Sequence, residues 1–182
     1  MKLTVATAPE SLSRVKPSTQ KPLRVGLVQT KWHSDAVEHE AKLFEGIKIA
    51  AEAGAKIVFL QELTLSRYPA DAKPEGTPSK IAESLEGGKT HLFAAKAAKE
   101  LGVIVHASLY EKADLADGRG LNTAILVDQN GNIIARTPKL HIPVTAGYFE
   151  DKYFQPGPAD QDPYPVYNLE LDGLKASFGL PT

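Results

Sequence analysis

The stretch that decides the fold is Lys56-Ile-Val-Phe-Leu-Gln-Glu-Leu63, an apolar run that turns polar at Gln61 and Glu62. A short, uninterrupted apolar run is typical of a strand buried on both faces, as the strands of parallel sheets are. Residues 23–29, Leu-Arg-Val-Gly-Leu-Val-Gln, have the composition of an earlier strand. Two strands joined by a helix and short connections form a right-handed βαβ unit in nearly every protein that contains one. The sequence therefore predicts an α/β fold.

The segment between these strands carries the signals of an amphipathic helix. Ser34 and Asp35 can cap its first turn, and Gly54 can end it. Apolar side chains recur at spacings of three and four, which predicts a stripe that faces the core. The predicted core positions of this stripe are Val37, Ala41, Phe44, Ile47 and Ala51.

Later segments predict that the sheet is mixed. A second helix is indicated around residues 91–101, and residues 103–110 form the next strand. Residues 121–127 and 132–137 flank an Asn-Gly pair, the strongest short hairpin signal. The predicted core positions of the second helix are Leu92, Phe93 and Ala97.

We divide the chain into residues 1–22, a mobile tail without an apolar run, and residues 23–182, one domain. Within the domain, residues 147–165 form a loop rich in aromatic residues and proline. Residues 166–171 and 174–179 are expected to pair as closing strands.

Composition excludes several classes of partner. The 21 basic and 22 acidic side chains give a net charge of −1 and form no basic run, so neither a nucleic-acid nor an anionic-membrane partner is expected. No segment is long and apolar enough to span a bilayer. The chain has no cysteine, which excludes disulfides and thiolate metal sites and fits a cytoplasmic protein.

Two charged residues lie where strands are predicted to end. Glu62 follows a buried strand, and a carboxylate at that rim of an α/β sheet can serve as a general base. A solvated turn residue or a helix cap is the alternative for Glu62. Lys139 ends the second hairpin strand, where a half-buried ammonium can stabilise an oxyanion. A surface lysine at a strand end is the alternative there.

Two further residues are candidates. Glu150 lies in an aromatic loop, where it can line a pocket or pair with Lys152 on the surface. His141 can orient its neighbours or act as an acid, or it can be purely structural. The histidines lack metal-ligand spacing, and phosphate-loop, GxGxxG and GxSxG motifs are absent, so no metal or cofactor is expected.

Three segments in order make the pattern specific: Phe59-Leu-Gln-Glu62, Arg136-Thr-Pro-Lys-Leu-His-Ile-Pro143 and Gly147-Tyr-Phe-Glu-Asp-Lys-Tyr-Phe-Gln-Pro-Gly157. Together they resemble the nitrilase superfamily of carbon–nitrogen hydrolases, and the last two resemble its branch of N-carbamoylputrescine amidases. The resemblance covers residues 24–182. It implies an αββα sandwich with mixed sheets, here incomplete at the C-terminus.

The resemblance also implies a site and a reaction. Glu62 and Lys139 match two members of a Glu-Lys-Cys triad, Glu150 matches an accessory glutamate, and His141 and Tyr148 are expected to contact substrate. The implied reaction is cofactor-free hydrolysis of an N-carbamoyl amine or related amide through a thioester, in a protein that self-associates. Thr182 stands where the residue before the family's cysteine would be, so we expect residues 23–182 to be part of the domain.

Three interpretations follow for the chain itself. The first is the N-terminal part of such an amidohydrolase, inactive alone because its nucleophile is missing. The second is a non-catalytic binding or assembly protein on the same scaffold. The third is an interrupted reading frame with an unstable product.

Overall fold

A computed structural model describes residues 1–7, 12, 21–158, 162–171 and 173–180. Most of the predicted tail, residues 8–11 and 13–20, lies outside this range, as does Thr182. The strands are β1 (Val25–Leu27), β2 (Ile57–Phe59), β3 (Ile104–Glu111), β4 (Leu121–Val127), β5 (Ile133–Pro138), β6 (Tyr167–Leu171) and β7 (Leu174–Phe178). The helices are α1 (Ala36–Glu52), α2 (Lys89–Leu101) and α3 (Glu150–Tyr153), with 3₁₀ turns at Pro69–Asp71 and Pro78–Ile81.

The first five strands form one mixed sheet in the order β1-β2-β3-β4-β5. β1, β2 and β3 are parallel, whereas β4 is antiparallel to both β3 and β5. The predicted βαβ unit and the predicted hairpin are therefore both confirmed. Gly131 adopts φ +84° in the β4–β5 turn, a conformation that favours glycine.

Each face of this sheet is covered by a different kind of element. α1 and α2 pack on one face, in a core that includes Leu43, Phe93, Val105 and Ile125. The β6–β7 hairpin covers part of the other face, where alternate β6 residues and Phe178 pack on a second core. The described residues thus form a helix layer, a mixed sheet and a two-stranded second sheet. The predicted closing pair of strands is confirmed.

The predicted core face of α1 is wrong in part. Asp35 caps the helix as predicted, since its side chain accepts from the Glu38 N–H at 2.8 Å. Val37, however, is 79% exposed, and Ala41 is exposed too. The buried residues of α1 are His39, Leu43, Gly46, Ile47 and Ala50.

α1 lies close to β1 on the face that carries Ala50. A Cβ at Gly26 of β1 would lie 2.7 Å from the Ala50 Cβ, so these two small residues set how α1 packs against β1. His39 is buried because Nε2 donates to the Thr64 carbonyl oxygen at 2.9 Å. The predicted stripe was built from apolar residues only and therefore left out His39. The predicted buried face was rotated away from the face that is buried in the structure. Within α2 the same error affects Leu92, which is 58% exposed.

The helices of the described part of the chain are too short or too polar to cross a membrane.

Candidate active site

Three charged side chains meet at the rim beyond the carboxyl end of β2. Glu62 follows β2 by three residues, Lys139 comes directly after β5, and Glu150 begins α3. The Lys139 Nζ lies 3.1 Å from Glu62 Oε1 and 2.9 Å from Glu150 Oε2. One ammonium therefore bridges two carboxylates that are 88 positions apart in the chain.

The bridge is buried unevenly. The side chain of Glu150 is 8% exposed and that of Lys139 is 15% exposed, whereas that of Glu62 is 38% exposed. Burial alone would lower the pKa of Lys139, but its hydrogen bonds and charge interactions with Glu150 and Glu62 outweigh this effect and raise it. Lys139 therefore stays protonated at neutral pH, which is the state that an oxyanion donor requires.

Both carboxylate oxygens of Glu150 are occupied. Oε2 accepts from Lys139, and Oε1 accepts from the Tyr68 hydroxyl at 2.7 Å. Burial, followed by the hydrogen bond to Glu150, raises the pKa of Tyr68 well above that of a free tyrosine, so the hydroxyl keeps its proton for this bond. Lys152 pairs instead with Asp151 at 2.7 Å. The surface pairing considered for Glu150 is therefore wrong.

Glu62 differs from Glu150 in how its oxygens are used. Oε1 accepts from both Lys139 and the Asn122 Nδ2, the latter at 2.6 Å. No side chain or backbone group in the described ranges hydrogen-bonds to Oε2. Because Glu62 is also the more exposed carboxylate, Oε2 is the oxygen that can accept a proton from a bound group.

The loop that carries Glu62 is held by several hydrogen bonds to β3. Leu63 has φ +48°, which is uncommon outside glycine. Its N–H donates to the Ser108 Oγ at 3.2 Å, and the Thr64 N–H donates to the Ser108 carbonyl oxygen at 2.8 Å. These two hydrogen bonds to Ser108 hold the backbone at Leu63 and Thr64 in this conformation.

Comparison with known proteins decides the family. Residues 24–179 match the family described as Carbon-nitrogen hydrolase. The chain belongs to that family. It is 33% identical over 111 residues to the N-carbamoylputrescine amidase of Solanum lycopersicum, a match that covers 61% of this chain and 36% of the relative. It is 30% identical over 138 residues to the citrullinase of Francisella tularensis, a match that covers 75% of this chain and 46% of the relative.

The fold of this chain is also shared with a solved structure. A carbon-nitrogen hydrolase from Helicobacter pylori G27 superposes with a TM-score of 0.65 at 25% identity, covering 75% of this chain and 45% of the other. The expected nitrilase-like α/β fold with a mixed sheet is therefore confirmed. The chain spans less than half the length of each of these relatives.

Two other sequence predictions stay predictions. His141 is exposed, and its Nε2 lies 3.1 Å from the Tyr164 hydroxyl oxygen. No contact among the described residues joins His141 to the charged cluster. Tyr148 is 53% exposed and lies nearer, since its ring packs edge-on against the Tyr68 ring with centroids 6.2 Å apart.

Tyr68, Ser108 and Asn122 were not predicted from the sequence. Asn122 had a signal, because it is a polar residue in the predicted strand 121–127, which is otherwise apolar except for Thr123. Tyr68 had none, since its loop showed no pattern that connects it to residue 150. The described residues also contain no group of three acidic or histidine side chains that could hold a metal ion.

Proposed function

We propose that this chain supplies the acid–base and oxyanion-binding groups of a site that hydrolyses the carbon–nitrogen bond of an N-carbamoyl amine or a related amide. The observation that carries the proposal is the bridge in which Lys139 joins Glu62 and Glu150, while Glu62 alone keeps an open oxygen. Family membership supports the reaction class, and relatives named for N-carbamoylputrescine and citrulline support the ureido substrate class.

The proposed first half-reaction assigns one task to each group. Glu62 Oε2 accepts the proton of a thiol nucleophile, and the thiolate attacks the carbonyl carbon. Lys139 holds the tetrahedral oxyanion, a contribution of about 3 kcal/mol for a well-placed donor. The bond to nitrogen then breaks, and Glu62 returns its proton to the departing ammonia. Both oxygens of Glu150 already accept hydrogen bonds, so Glu150 is assigned no proton transfer and instead positions Lys139.

The second half-reaction uses the same groups on water. Glu62 takes a proton from water, the hydroxide attacks the thioester, and the thiol leaves with that proton. For a ureido substrate, the carbamic acid that is released breaks down to the amine and carbon dioxide. The thiol must come from outside the 182 residues, since they contain no cysteine. We therefore propose that the chain alone does not turn over.

Ligand binding tests the site without requiring turnover. The purified chain is titrated with N-carbamoylputrescine, citrulline and acetamide while the ammonium resonance of Lys139 is followed by NMR. A ureido compound is expected to shift that resonance. Binding to the variants is measured by calorimetry, since Lys139→Ala lacks the resonance, and Lys139→Ala is expected to abolish binding. Lys152→Ala is the matched control, because Lys152 is an exposed lysine that pairs only with Asp151 among the described residues. If none of these compounds binds, or if both variants bind equally well, the proposed substrate class is refuted.

An ammonia assay tests the chemistry. The chain is incubated with the ligand that binds, with and without a small added thiol that can take the place of the nucleophile. We expect ammonia release only with the thiol, and Glu62→Gln should abolish it. Release without any thiol would contradict the proposed inactivity, and release that survives Glu62→Gln would contradict Glu62 as the base.

A second candidate function is ligand binding or assembly without turnover. The absence of cysteine from the 182 residues favours it. In that case the ureido ligand would bind as above, but added thiol would release no ammonia.

A further inference from the structure

Asn122 contacts both ends of the Lys139–Glu62 pair. Its side-chain Nδ2 donates to Glu62 Oε1 at 2.6 Å, and its backbone carbonyl oxygen accepts from the Lys139 N–H at 2.7 Å. The residue lies on β4 and has no exposed surface. A single rigid strand position therefore meets the carboxylate through its side chain and the lysine through its main chain.

The orientation of the Asn122 amide follows from its partners. A carboxylate can only accept, so the atom that faces Glu62 must be the amide nitrogen. The opposite atom, Oδ1, lies 3.4 Å from the Ser108 Oγ, which donates to it. Ser108 in turn accepts from the Leu63 N–H in the loop that carries Glu62. The hydrogen bonds close a loop: Glu62, Asn122, Ser108, Leu63 and back to Glu62 along the chain.

Closure of this loop has a chemical consequence at Glu62. An exposed glutamate can rotate and present either oxygen, at little cost. Here Asn122 and Lys139 both bind Oε1, so rotation would break two hydrogen bonds to a charged group. The contacts keep Oε1 turned toward the protein and Oε2 turned away from it.

We infer that Asn122, held by Ser108, is a positioning residue that selects Oε2 of Glu62 as the proton-accepting oxygen and keeps Glu62 against Lys139. The inference rests on the proposed function for the meaning of that oxygen. Its structural part, the dependence of the Glu62–Lys139 contact on Asn122, does not rest on any reaction. This separation allows the two to be tested independently.

The titration of the Lys139 ammonium tests the structural part. The pKa of Lys139 is raised by its two carboxylates against the effect of burial, so losing one carboxylate lowers it. Glu62→Gln calibrates how large that decrease is. In Asn122→Leu the carboxylate is no longer held by the amide, and we expect the pKa of Lys139 to fall by at least half of the Glu62→Gln decrease.

Thr123→Val is the matched control. Thr123 is the next residue of β4, is equally buried, and donates to Glu111 at 2.6 Å on the opposite face of the sheet. It is expected to lower the melting temperature without changing the titration of Lys139. A purely structural role for Asn122 would give this same pattern in Asn122→Leu, and that result would overturn the inference.

Ser108→Ala covers the case in which Asn122→Leu does not fold. It leaves the donor to Glu62 in place but removes the hydroxyl that orients the amide. We expect a decrease in the pKa of Lys139 that is smaller than in Glu62→Gln and has the same sign. No decrease in folded Ser108→Ala protein would refute the hydrogen-bonded loop.

The outcomes also separate this inference from the proposed function. If the titration responds as expected but the ligand and ammonia assays fail, Asn122 positions a pair that has another use. If the assays succeed but the titration of Lys139 does not respond to Asn122→Leu, the proposed reaction stands and the positioning role falls.

Discussion

Lys139→Met removes the cation that lies between two carboxylates, and the structure predicts which of the two ion pairs contributes more to stability. Glu150 is almost fully buried and loses its only cationic partner among the described residues. Removing one member of a buried ion pair costs about 3 kcal/mol or more, because the other charge stays behind without compensation. The Tyr68 hydroxyl still donates to Glu150, so we expect a loss of about 3 kcal/mol, at the lower end of that range.

Double-mutant cycles divide this loss between the two contacts. The coupling of Lys139 with Glu150 is expected to be about 2 kcal/mol, typical of a hydrogen bond to a charged group. The coupling with Glu62 is expected to be about 0.5 kcal/mol, because 38% of that side chain is exposed and water screens the pair. The cycles use Met at residue 139 and Gln at residues 62 and 150.

Urea unfolding at neutral pH measures these free energies, with Lys152→Met as the control. Lys152 is exposed, so its loss is expected to cost less than about 0.5 kcal/mol. Because the folded-state pKa of Lys139 is raised, the stabilisation is complete below the ordinary lysine pKa and disappears as the pH rises through the raised value. Equal couplings for the two carboxylates, or a larger one for Glu62, would refute the reasoning.

Three other predictions, made with four substitutions, test different parts of the structure. Arg136→Met leaves the buried Glu111 without the guanidinium that donates to both of its oxygens, and thermal unfolding is expected to show a loss of about 3 kcal/mol; a loss below about 1 kcal/mol would contradict a buried pair. Burial raises the pKa of Tyr110 to about 12, so the stability that its protonated hydroxyl contributes is present below the ordinary tyrosine pKa and is lost as the pH rises toward 12. In an ultraviolet titration, Tyr110→Phe should remove one tyrosine from the fraction that ionises late. An unchanged titration curve would show that Tyr110 does not ionise late. Leu92→Asp should change stability by less than about 0.5 kcal/mol, whereas Leu43→Ala should cost about 3 kcal/mol in chemical denaturation; the reverse order would mean that the helix faces are assigned wrongly.

Local patterns predicted most of the fold. The apolar run of β2 and the Asn-Gly turn between β4 and β5 depend on short-range chemistry, and both elements appear where they were expected. The face of α1 did not follow from the pattern. The contact between Ala50 and Gly26 could not be seen before the two elements were packed.

The candidate site divides in a similar way. Glu62, Lys139 and Glu150 were singled out because charged residues at strand ends and in aromatic loops suit catalysis, but each had an ordinary surface alternative. Only the packed structure shows that Lys139 bridges the two carboxylates and that Lys152 pairs with Asp151 instead. Distances between residues so far apart in the chain depend on how the strands are ordered in the sheet.

The sequence by itself determined the strands, α1 and α2, the mixed sheet and the three charged residues worth attention, but it missed α3, which lies in a segment predicted to be a loop. These properties arise from side-chain periodicity, turn chemistry and residue type, all of which act over a few neighbouring positions. Tertiary structure alone decided that Asn122, Ser108 and Tyr68 hold those charges and that Glu62 keeps an open oxygen. Hydrogen-bond partners are chosen by three-dimensional proximity, and proximity exists only after β2, β4, β5 and α3 have come together.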